Sequence, residues 1–535
     1  MSHLDGQEFA APSFVERELH LAKLLRGERR FVALVGLLLG GIALLQTIWS
    51  LGVVLAPEQF NAGEGVVYYH AGRIGRGEPL YQPLDRAPFT VAGYTPIYYT
   101  LAGWLQQLLG PGFWPGRALS FVSGLITALL VAHLTRQRTG SGRAGLFASA
   151  LFLSLGLPAV YLWSALYRVD LLGIAFSLGA VTLLTGGSST RRLVLAGLLA
   201  GVAILTKQTL LAATLAGALW LLRLDWRRAL IFAGVSIGLA GLVCLALDRA
   251  TGAFLLNTVA ANLNPLGLDV FASNLVVFAI FQIGPLALAA AYLRDRWRSA
   301  LPSSAGRAIR DTLLLTIRAK RFWNDDCLLG LYWLFALLPI VGLAKVGASQ
   351  NYWIEFAAIT AILATAGLWE QTGAALSARL RTLGVNVAAG LTMIVVVAAP
   401  VTKWIAESAG RQAELQSLVE RVRAEPGQVL ADPLDVVALA ARPGLLEPYI
   451  YSILHLQGYW DPAPVVEQIC SGQVSLLILS YPLDGPGPLS SGAVPRWPGP
   501  VLKALRQTMS LESRPLGRYL YTSTNKTGAL ESACR

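Results

Sequence analysis

Long apolar runs recur along the first three quarters of the chain and are separated by short polar segments. A helix of about 20 apolar residues crosses the hydrocarbon core of a bilayer. The pattern predicts eleven membrane spans, at 31–54, 117–135, 144–163, 169–185, 193–206, 208–222, 229–247, 272–293, 327–344, 352–369 and 383–402. The polar first 30 residues precede a full-length span, which argues against a cleavable signal. Segment 94–110 is short, contains Pro96 and is predicted to be an interfacial helix.

Lys207 interrupts an apolar stretch at 193–222 that could otherwise be a single helix. A lysine at the centre of a bilayer costs several kcal/mol, so a hairpin with Lys207 at its tip is favoured. With the hairpin, one side of the membrane carries 5, 3, 2, 3, 8 and 2 Lys/Arg, a total of 23, and the other carries 7. A single helix would move the eight-charge loop 294–326 to the poorer side. Because the richer side faces the cytoplasm, the N-terminus is predicted to be cytoplasmic.

Three regions follow from this topology. Residues 1–30 are predicted to be cytoplasmic, 31–403 to form the transmembrane domain with a long first outer loop at 55–116, and 404–535 to form an external domain. In that last region QVLADP and VSLLILSYP are typical of strands, Leu434–Ala441 and Pro464–Ser471 of helices, and 483–500 of a loop. The fold class is therefore an all-α polytopic membrane bundle with a small C-terminal extracytoplasmic α/β domain.

Composition agrees with membrane insertion and argues against nucleic-acid binding. The chain is 54% hydrophobic and 14% charged, about half the charge of a soluble protein. Its net charge is +12, but from Lys403 onward 12 Lys/Arg balance 12 Asp/Glu. The positive excess lies among the spans, where orientation signals are expected.

Cysteine and histidine give no support for a metal site. Cys244 and Cys327 lie in predicted spans, whereas Cys470 and Cys534 could either pair in an oxidising compartment or remain free. The two histidines predicted to face outward, at 70 and 455, have no partner at metal-ligand spacing and are interpreted as structural. No Walker A, GxGxxG or HExxH motif occurs.

Polar residues gather at the predicted outer ends of the spans. Glu64 could take a proton from a hydroxyl, or it could simply stabilise the start of a helix. Asp170 could hold a catalytic group or a metal, or could cap span four beside Arg168. Lys207 could bind a phosphate, or its side chain could extend to the membrane interface.

Two further polar segments belong to this outer group. Glu355 lies about one turn into an apolar span and is therefore predicted to face the bundle interior or a water-filled cavity. Loop 257–264 offers three amides that suit sugar hydroxyls, Asn257, Asn262 and Asn264, although a polar loop is the simpler explanation.

Four stretches follow one another in a recognisable order. They are Glu64 with the tyrosines and GEPLY of the first outer loop, RVDLL at 168–172, GVAILTKQT at 201–209 and QNYWIE at 350–355. Over residues 31–370 this set resembles the GT-C superfamily of integral membrane glycosyltransferases, in the branch of protein O-mannosyltransferases and aminoarabinose transferases. The external tail is similar to tails of bacterial relatives.

The resemblance implies a polyprenyl-phosphate sugar donor, a glycan, lipid or protein acceptor, a periplasmic or lumenal active site in the cell membrane, and inversion at the anomeric carbon. It matches Glu64 to the family's first-loop base, where relatives usually carry Asp, often followed by a second acid; here Gly63 and Gly65 flank one Glu. It also matches Asp170 to the acid of the second outer loop and Lys207 to the group on the lipid phosphate. The remaining predicted substrate-binding residues are Tyr68, Tyr69, Arg73, Tyr81, Arg117, Arg168, Gln208, Asn351, Tyr352 and Glu355.

The predicted reaction is a single in-line displacement in which Glu64 accepts the proton of the acceptor hydroxyl. Asp170 orients the Glu64 carboxylate or the acceptor. Lys207, helped by Arg73 or Arg117, stabilises the departing lipid phosphate. A metal is not required, and a divalent cation is left open. Two alternatives stay open. A transporter or flippase of lipid-linked sugars is less favoured, because charges gather at one face and no inverted repeat is visible. A non-catalytic assembly subunit is disfavoured by the retained Glu64–Asp170–Lys207 set.

Overall fold

The computed structural model describes residues 14–157, 162–187, 189–300, 323–371, 374–485 and 494–524. Helices dominate up to residue 424. They are α1 Phe14–Leu55, α2 Ala62–Gly75, α3 Pro96–Leu109, α4 Trp114–Thr139, α5 Gly142–Leu151, α6 Asp170–Thr185, α7 Thr190–Thr206, α8 Ala212–Leu224, α9 Trp226–Thr251, α10 Phe254–Thr258, α11 Leu268–Ala300, α12 Asp325–Ala336, α13 Ile354–Trp369, α14 Ala374–Gly410 and α15 Gln412–Ala424. A π-turn at Phe152–Gly156 and short 3₁₀ turns at Trp163–Ala165, Ala260–Asn262, Leu338–Ala344 and Gln350–Trp353 link them.

Each of the eleven predicted spans overlaps helical structure. Within the described ranges, seven helical segments are long and apolar enough to cross a membrane. They are Arg30–Leu55, Trp114–Thr139, Trp226–Thr251, Leu268–Ser299, Asp325–Ala344, Gln350–Trp369 and Ala378–Gly410. Three shorter apolar helices add to these, at Gly142–Gly156, Asp170–Thr185 and Ala212–Leu224. The chain is thus a multi-pass membrane protein, while the count of eleven spans and their orientation stay predictions.

The predicted interruption at Lys207 is present. Helix α7 ends at Thr206, Lys207 takes an extended backbone conformation, and α8 begins only at Ala212. A single helix over 193–222 is therefore wrong. The predicted interfacial helix is α3, which packs against α2 within the first long loop.

The C-terminal region contains a four-stranded sheet in the order β1-β2-β4-β3. Strands β1 (Gln428–Asp432) and β2 (Val474–Leu479) are parallel, and β4 (Tyr519–Ser523) is antiparallel to β2 and to β3 (Met509–Ser513). The two predicted strands are β1 and β2, whose aliphatic side chains are buried. The helices are α16 Asp435–Leu439, α17 Pro448–Leu456, α18 Ala463–Cys470 and α19 Gly499–Thr508.

Several of these elements were not predicted. Helices α16 and α18 correspond to the two expected helices, whereas β3, β4, α17 and α19 were not predicted. Residues 486–493 of the predicted loop 483–500 lie outside the described residues, and α19 begins inside its last two positions. The boundary at residue 404 stays a prediction, because α14 continues to Gly410.

The C-terminal region packs directly on the first long loop. Phe89 forms a parallel bridge with Leu446, its amide donates to the Leu445 carbonyl at 2.7 Å, and its carbonyl accepts from the Glu447 amide at 2.8 Å. Helix α16 contacts α2. A Cβ at Gly65 would come within 2.8 Å of the Asp435 amide nitrogen, so glycine is needed for this approach.

Candidate functional site

Glu64 lies at the start of α2 and is fully buried. Arg117 of α4 donates from Nε to Oε1 and from Nη2 to Oε2, each at 2.8 Å. The amides of Tyr167, Phe60 and Asn61 donate to the same carboxylate at 2.7, 2.7 and 3.1 Å. Burial raises the pKa of Glu64, but the charge and hydrogen bonds of Arg117 outweigh it and hold that pKa below its usual value.

Both oxygens of Glu64 are therefore engaged by protein donors, and Glu64 closes a capping box with Asn61. Arg117 also donates to the carbonyls of Val53, Ala56 and Glu58 at 2.7–2.8 Å. The geometry corrects the assignment of Glu64 as general base and of Arg117 as a phosphate ligand, because neither has a group left for a substrate. The pair instead ties α2, α4 and the end of α1 together.

Asp170, Lys207 and Asn351 meet although they are far apart in sequence. Lys207 Nζ donates to Asp170 Oδ1 at 2.6 Å, and Asn351 Nδ2 donates to the same oxygen at 2.9 Å. Lys207 Nζ also lies 4.8 Å from the ring centre of Tyr352. Asp170 Oδ2 is buried with no hydrogen-bond partner among the described residues. Asp170 and Lys207, both named as site residues from the sequence, thus contact each other and the start of the QNYWIE segment.

Glu355 faces the bundle interior, as the sequence predicts. Its Oε1 accepts from Ser177 at 2.5 Å and from Tyr332 at 3.0 Å, while Oε2 has no partner among the described residues. Glu355 and Asp170 line a small cavity of about 10 Å³. That space admits about one water molecule, so it is not a substrate site.

A cavity of about 370 Å³, here called the main cavity, lies between the first long loop, the segment before α13 and the C-terminal region. Three cations line it: Arg168, Lys345 and Arg496. Tyrosines, amides and one serine add to the polar lining, namely Tyr94, Tyr99, Tyr352, Tyr449, Asn61, Asn262, Asn264, Asn351 and Ser349. Its carboxylates, among the described residues, are Asp432 and Glu447. The volume suits a sugar with a phosphate.

The cations of the main cavity differ in how they are paired. Arg496 donates from Nε to Asp432 Oδ2 at 2.7 Å and from Nη2 to Oδ1. Arg168 donates to the Tyr94 hydroxyl at 2.9 Å, and its buried Nε has no partner among the described residues. No described carboxylate forms an ion pair with Lys345. Burial and the charge of Lys207 lower the pKa of Lys345, as expected where a cation lacks a nearby anion.

The other predicted ligands pack inside the protein rather than around the main cavity. Tyr68 and Tyr69 accept hydrogen bonds from the amides of Gly112 and Gly444, at 3.1 and 3.2 Å. Tyr81 donates to the Tyr94 carbonyl at 2.9 Å, and Arg73 donates to Gln82 at 2.7 Å. The three tyrosines are corrected to structural roles, because their hydroxyls are bonded to the backbone of the protein. Arg73 Nε and Nη1 are buried without a hydrogen-bond partner among the described residues, so the assignment of Arg73 as a ligand stays a prediction.

Three further residues from the sequence analysis are buried or half-buried in the protein. Gln208 donates to the carbonyls of Gly93 and Thr258 at 2.9 and 3.0 Å, while its buried Oε1 has no partner among the described residues, so its assignment as a ligand stays a prediction. Asn257 is buried and donates to the Gln82 carbonyl at 2.8 Å. Burial, followed by the charge of Arg73, lowers the pKa of His70 to about 3, which fits a neutral core histidine.

Sequence reasoning missed Lys345, Asp432, Glu447 and Arg496. Lys345 stood in a short polar segment before QNYWIE and could have been noticed there. The other three lie in the C-terminal region, where nothing in their local pattern distinguishes them from surface charges. Within the described ranges, no group of three or more His, Cys, Asp or Glu could hold a metal ion.

Cysteine pairing is resolved in part. Cys470 is disulfide-bonded, while Cys244 and Cys327 are free. Cys534, the partner considered from the sequence, lies outside the described residues.

Comparisons with known proteins agree with this architecture. Residues 94–248 match the family model described as dolichyl-phosphate-mannose-protein mannosyltransferase. The crystal structure of ArnT from Cupriavidus metallidurans bound to undecaprenyl phosphate aligns with a TM-score of 0.57 at 14% identity, over 92% of this chain and 98% of that chain. Its apo state aligns with a TM-score of 0.59 at 14% identity, over 91% and 97%. No curated protein matches the chain significantly by sequence. The likeness to both states of ArnT shows that this chain has the same fold as ArnT, which agrees with the resemblance predicted from the sequence.

Proposed function

We propose that the protein transfers a sugar from a polyprenyl-phosphate donor to an acceptor hydroxyl by an inverting single displacement. The observation that carries the proposal is the main cavity, where Arg168 and Lys345 present cationic groups without a carboxylate partner among the described residues. A phosphate monoester or diester satisfies such a pair. Asn264 Oδ1, which is buried without a partner among the described residues, suits a sugar hydroxyl. The family match and the undecaprenyl phosphate held by ArnT support a lipid-phosphate donor.

In the proposed complex the sugar phosphate lies between Arg168 and Lys345, and the prenyl chain leaves between apolar helices. The cations stabilise the charge that develops as the bond from the anomeric carbon to the phosphate oxygen breaks. Lys207 was predicted to do this work. Its ammonium is already paired with Asp170 at 2.6 Å, so we assign the Asp170–Lys207 pair to positioning Asn351 and Tyr352 at the cavity wall.

We also propose that the main cavity faces away from the cytoplasm. The disulfide at Cys470 supports an oxidising compartment for the C-terminal region. The predicted topology places 23 Lys/Arg on one side of the membrane and 7 on the other, which supports the same orientation because the richer side faces the cytoplasm.

The test uses membrane vesicles from a strain that lacks the gene, because such vesicles supply donor and acceptor together. Added wild-type protein should consume a polyprenyl-linked sugar and add one glycosyl mass to an envelope lipid, glycan or protein. The variant Arg168→Gln should lose most of this activity, whereas Arg423→Gln, at an exposed position of α15, should match the wild type. Absence of any covalent product, with translocation of lipid-linked sugar in proteoliposomes, would instead support a transporter.

A further inference from the structure

Among the described residues, two carboxylates line the main cavity, those of Asp432 and Glu447. They differ in how many of their oxygens accept hydrogen bonds from the protein. Both oxygens of Asp432 accept from Arg496, and Oδ2 also accepts from Tyr481 at 2.7 Å. Among the described residues, Glu447 accepts a hydrogen bond from the Val91 amide alone, at 3.2 Å to Oε2. Oε1 of Glu447 therefore has no donor within the described part of the chain that would compete with a ligand.

The backbone directs Glu447 into the cavity. The parallel bridge between Phe89 and Leu446 and the hydrogen bond from the Glu447 amide to the Phe89 carbonyl hold the segment against the first loop. Glu447 precedes Pro448, which favours an extended conformation at the residue before it, and its φ of −92° and ψ of 97° agree. Its side chain forms no capping hydrogen bond with α17.

The acids that the sequence predicted for catalysis are not available at this position. Glu64 has both oxygens bound by Arg117 and three backbone amides. Asp170 lines the small cavity and is paired with Lys207. At Gly63, on the wall of the main cavity, a Cβ would come within 2.0 Å of Arg168 Nη1, so the guanidinium occupies the space of a side chain there.

We propose that Glu447 is the catalytic base of this protein, a role that rests on the proposed function. The acceptor oxygen attacks the anomeric carbon and forms the new glycosidic bond. The bond from that carbon to the phosphate oxygen breaks, and its electron pair leaves with the polyprenyl phosphate. The hydroxyl proton passes to the Glu447 carboxylate, so atoms and charge balance.

The surroundings of Glu447 suit this role. Burial raises the pKa of Glu447 to about 7, against the lowering effects of the Val91 amide and Arg496, and Asp432 raises it further. Among the described residues, the charge of Glu447 also raises the pKa of Tyr99 and of Tyr451, although burial is the larger cause for both. A carboxylate with a pKa near the working pH is both present in its basic form and strong enough to accept a proton.

The experiment compares Glu447→Gln and Glu447→Asp with the wild type in the vesicle assay, from pH 5.5 to 8.5. Wild-type turnover should rise with pH through about 7, because the base must be deprotonated. In Glu447→Gln, kcat should fall about 10²–10⁴-fold. The rise of turnover with pH, the acid limb of the profile, should also disappear. Glu447→Asp should keep the limb and a measurable rate. The control Glu467→Gln, exposed on α18, should behave as the wild type.

Two further measurements separate catalysis from structure and from the proposed function. Glu447→Gln should have at least the wild-type midpoint of thermal unfolding and at least the wild-type affinity for undecaprenyl phosphate. Wild-type transfer with an unchanged Glu447→Gln turnover overturns the role of Glu447 alone. The role of Glu447 is also overturned if Glu447→Gln neither folds nor binds undecaprenyl phosphate and the turnover of Glu447→Asp does not rise with pH. Absence of transfer by the wild type overturns the proposed function and this inference together.

Discussion

Glu64 and Arg117 form a fully buried two-point ion pair, with both nitrogen–oxygen distances at 2.8 Å. The pair is joined by backbone amides from the first long loop and by Tyr167. Removal of one partner leaves the other charge buried without compensation, and such changes cost about 3–5 kcal/mol. A structural role for Glu64 therefore predicts a loss of stability when Glu64 is replaced, whereas a catalytic role predicts a loss of turnover alone.

The first prediction is that Glu64→Gln lowers thermal stability. The midpoint of unfolding in detergent should fall clearly, because Arg117 loses its counter-charge, while Glu420→Gln on α15 should leave it unchanged. Wild-type stability combined with abolished turnover in Glu64→Gln would instead restore Glu64 as the base.

The second prediction concerns Asp170 and Lys207. Lys207→Met and Asp170→Asn should each destabilise the protein by several kcal/mol, because each leaves a buried partner unpaired. The double variant should be less destabilised than the sum of the two. A double-mutant cycle of unfolding free energies measures this coupling, and additive effects would mean that the pair does not form.

The third prediction concerns Lys345. Lys345→Ala should weaken binding of undecaprenyl phosphate by about 10–100-fold, since a hydrogen bond to a charged group contributes about 1.5–3 kcal/mol. Equilibrium binding to the detergent-purified protein provides the measurement. Lys503→Ala, exposed on α19, serves as the charge-matched control. Equal affinity in the two variants would remove Lys345 from the phosphate site.

The fourth prediction concerns Cys470. Cys470→Ser should destabilise the C-terminal region by about 2–5 kcal/mol, because a disulfide restricts the unfolded chain. Reductant should lower the unfolding midpoint of the wild type but not that of the variant. Cys244→Ser, at a free cysteine, should keep the wild-type response to reductant. A wild type that is insensitive to reductant contradicts the prediction.

Local pattern determined much of the fold. Apolar runs predict where helices lie, because a helix in a membrane satisfies its backbone hydrogen bonds within one segment. The break at Lys207 follows from the cost of burying a lone ammonium, and the helices on either side end and begin near it. The same reasoning found the aliphatic runs of β1 and β2 but missed β3, in which four of five residues are exposed, and its neighbour β4.

The sequence by itself indicated a multi-pass helical membrane protein and singled out Asp170, Lys207 and the QNYWIE segment, which the structure brings into contact. Only the tertiary structure decided which acids are bound internally and which face the cavity. Glu64 is committed to Arg117 across 53 positions, and Glu447 reaches the first loop at Val91 across 356. The physical reason is that a carboxylate's chemistry depends on the donors that surround it, and distant segments supply those donors.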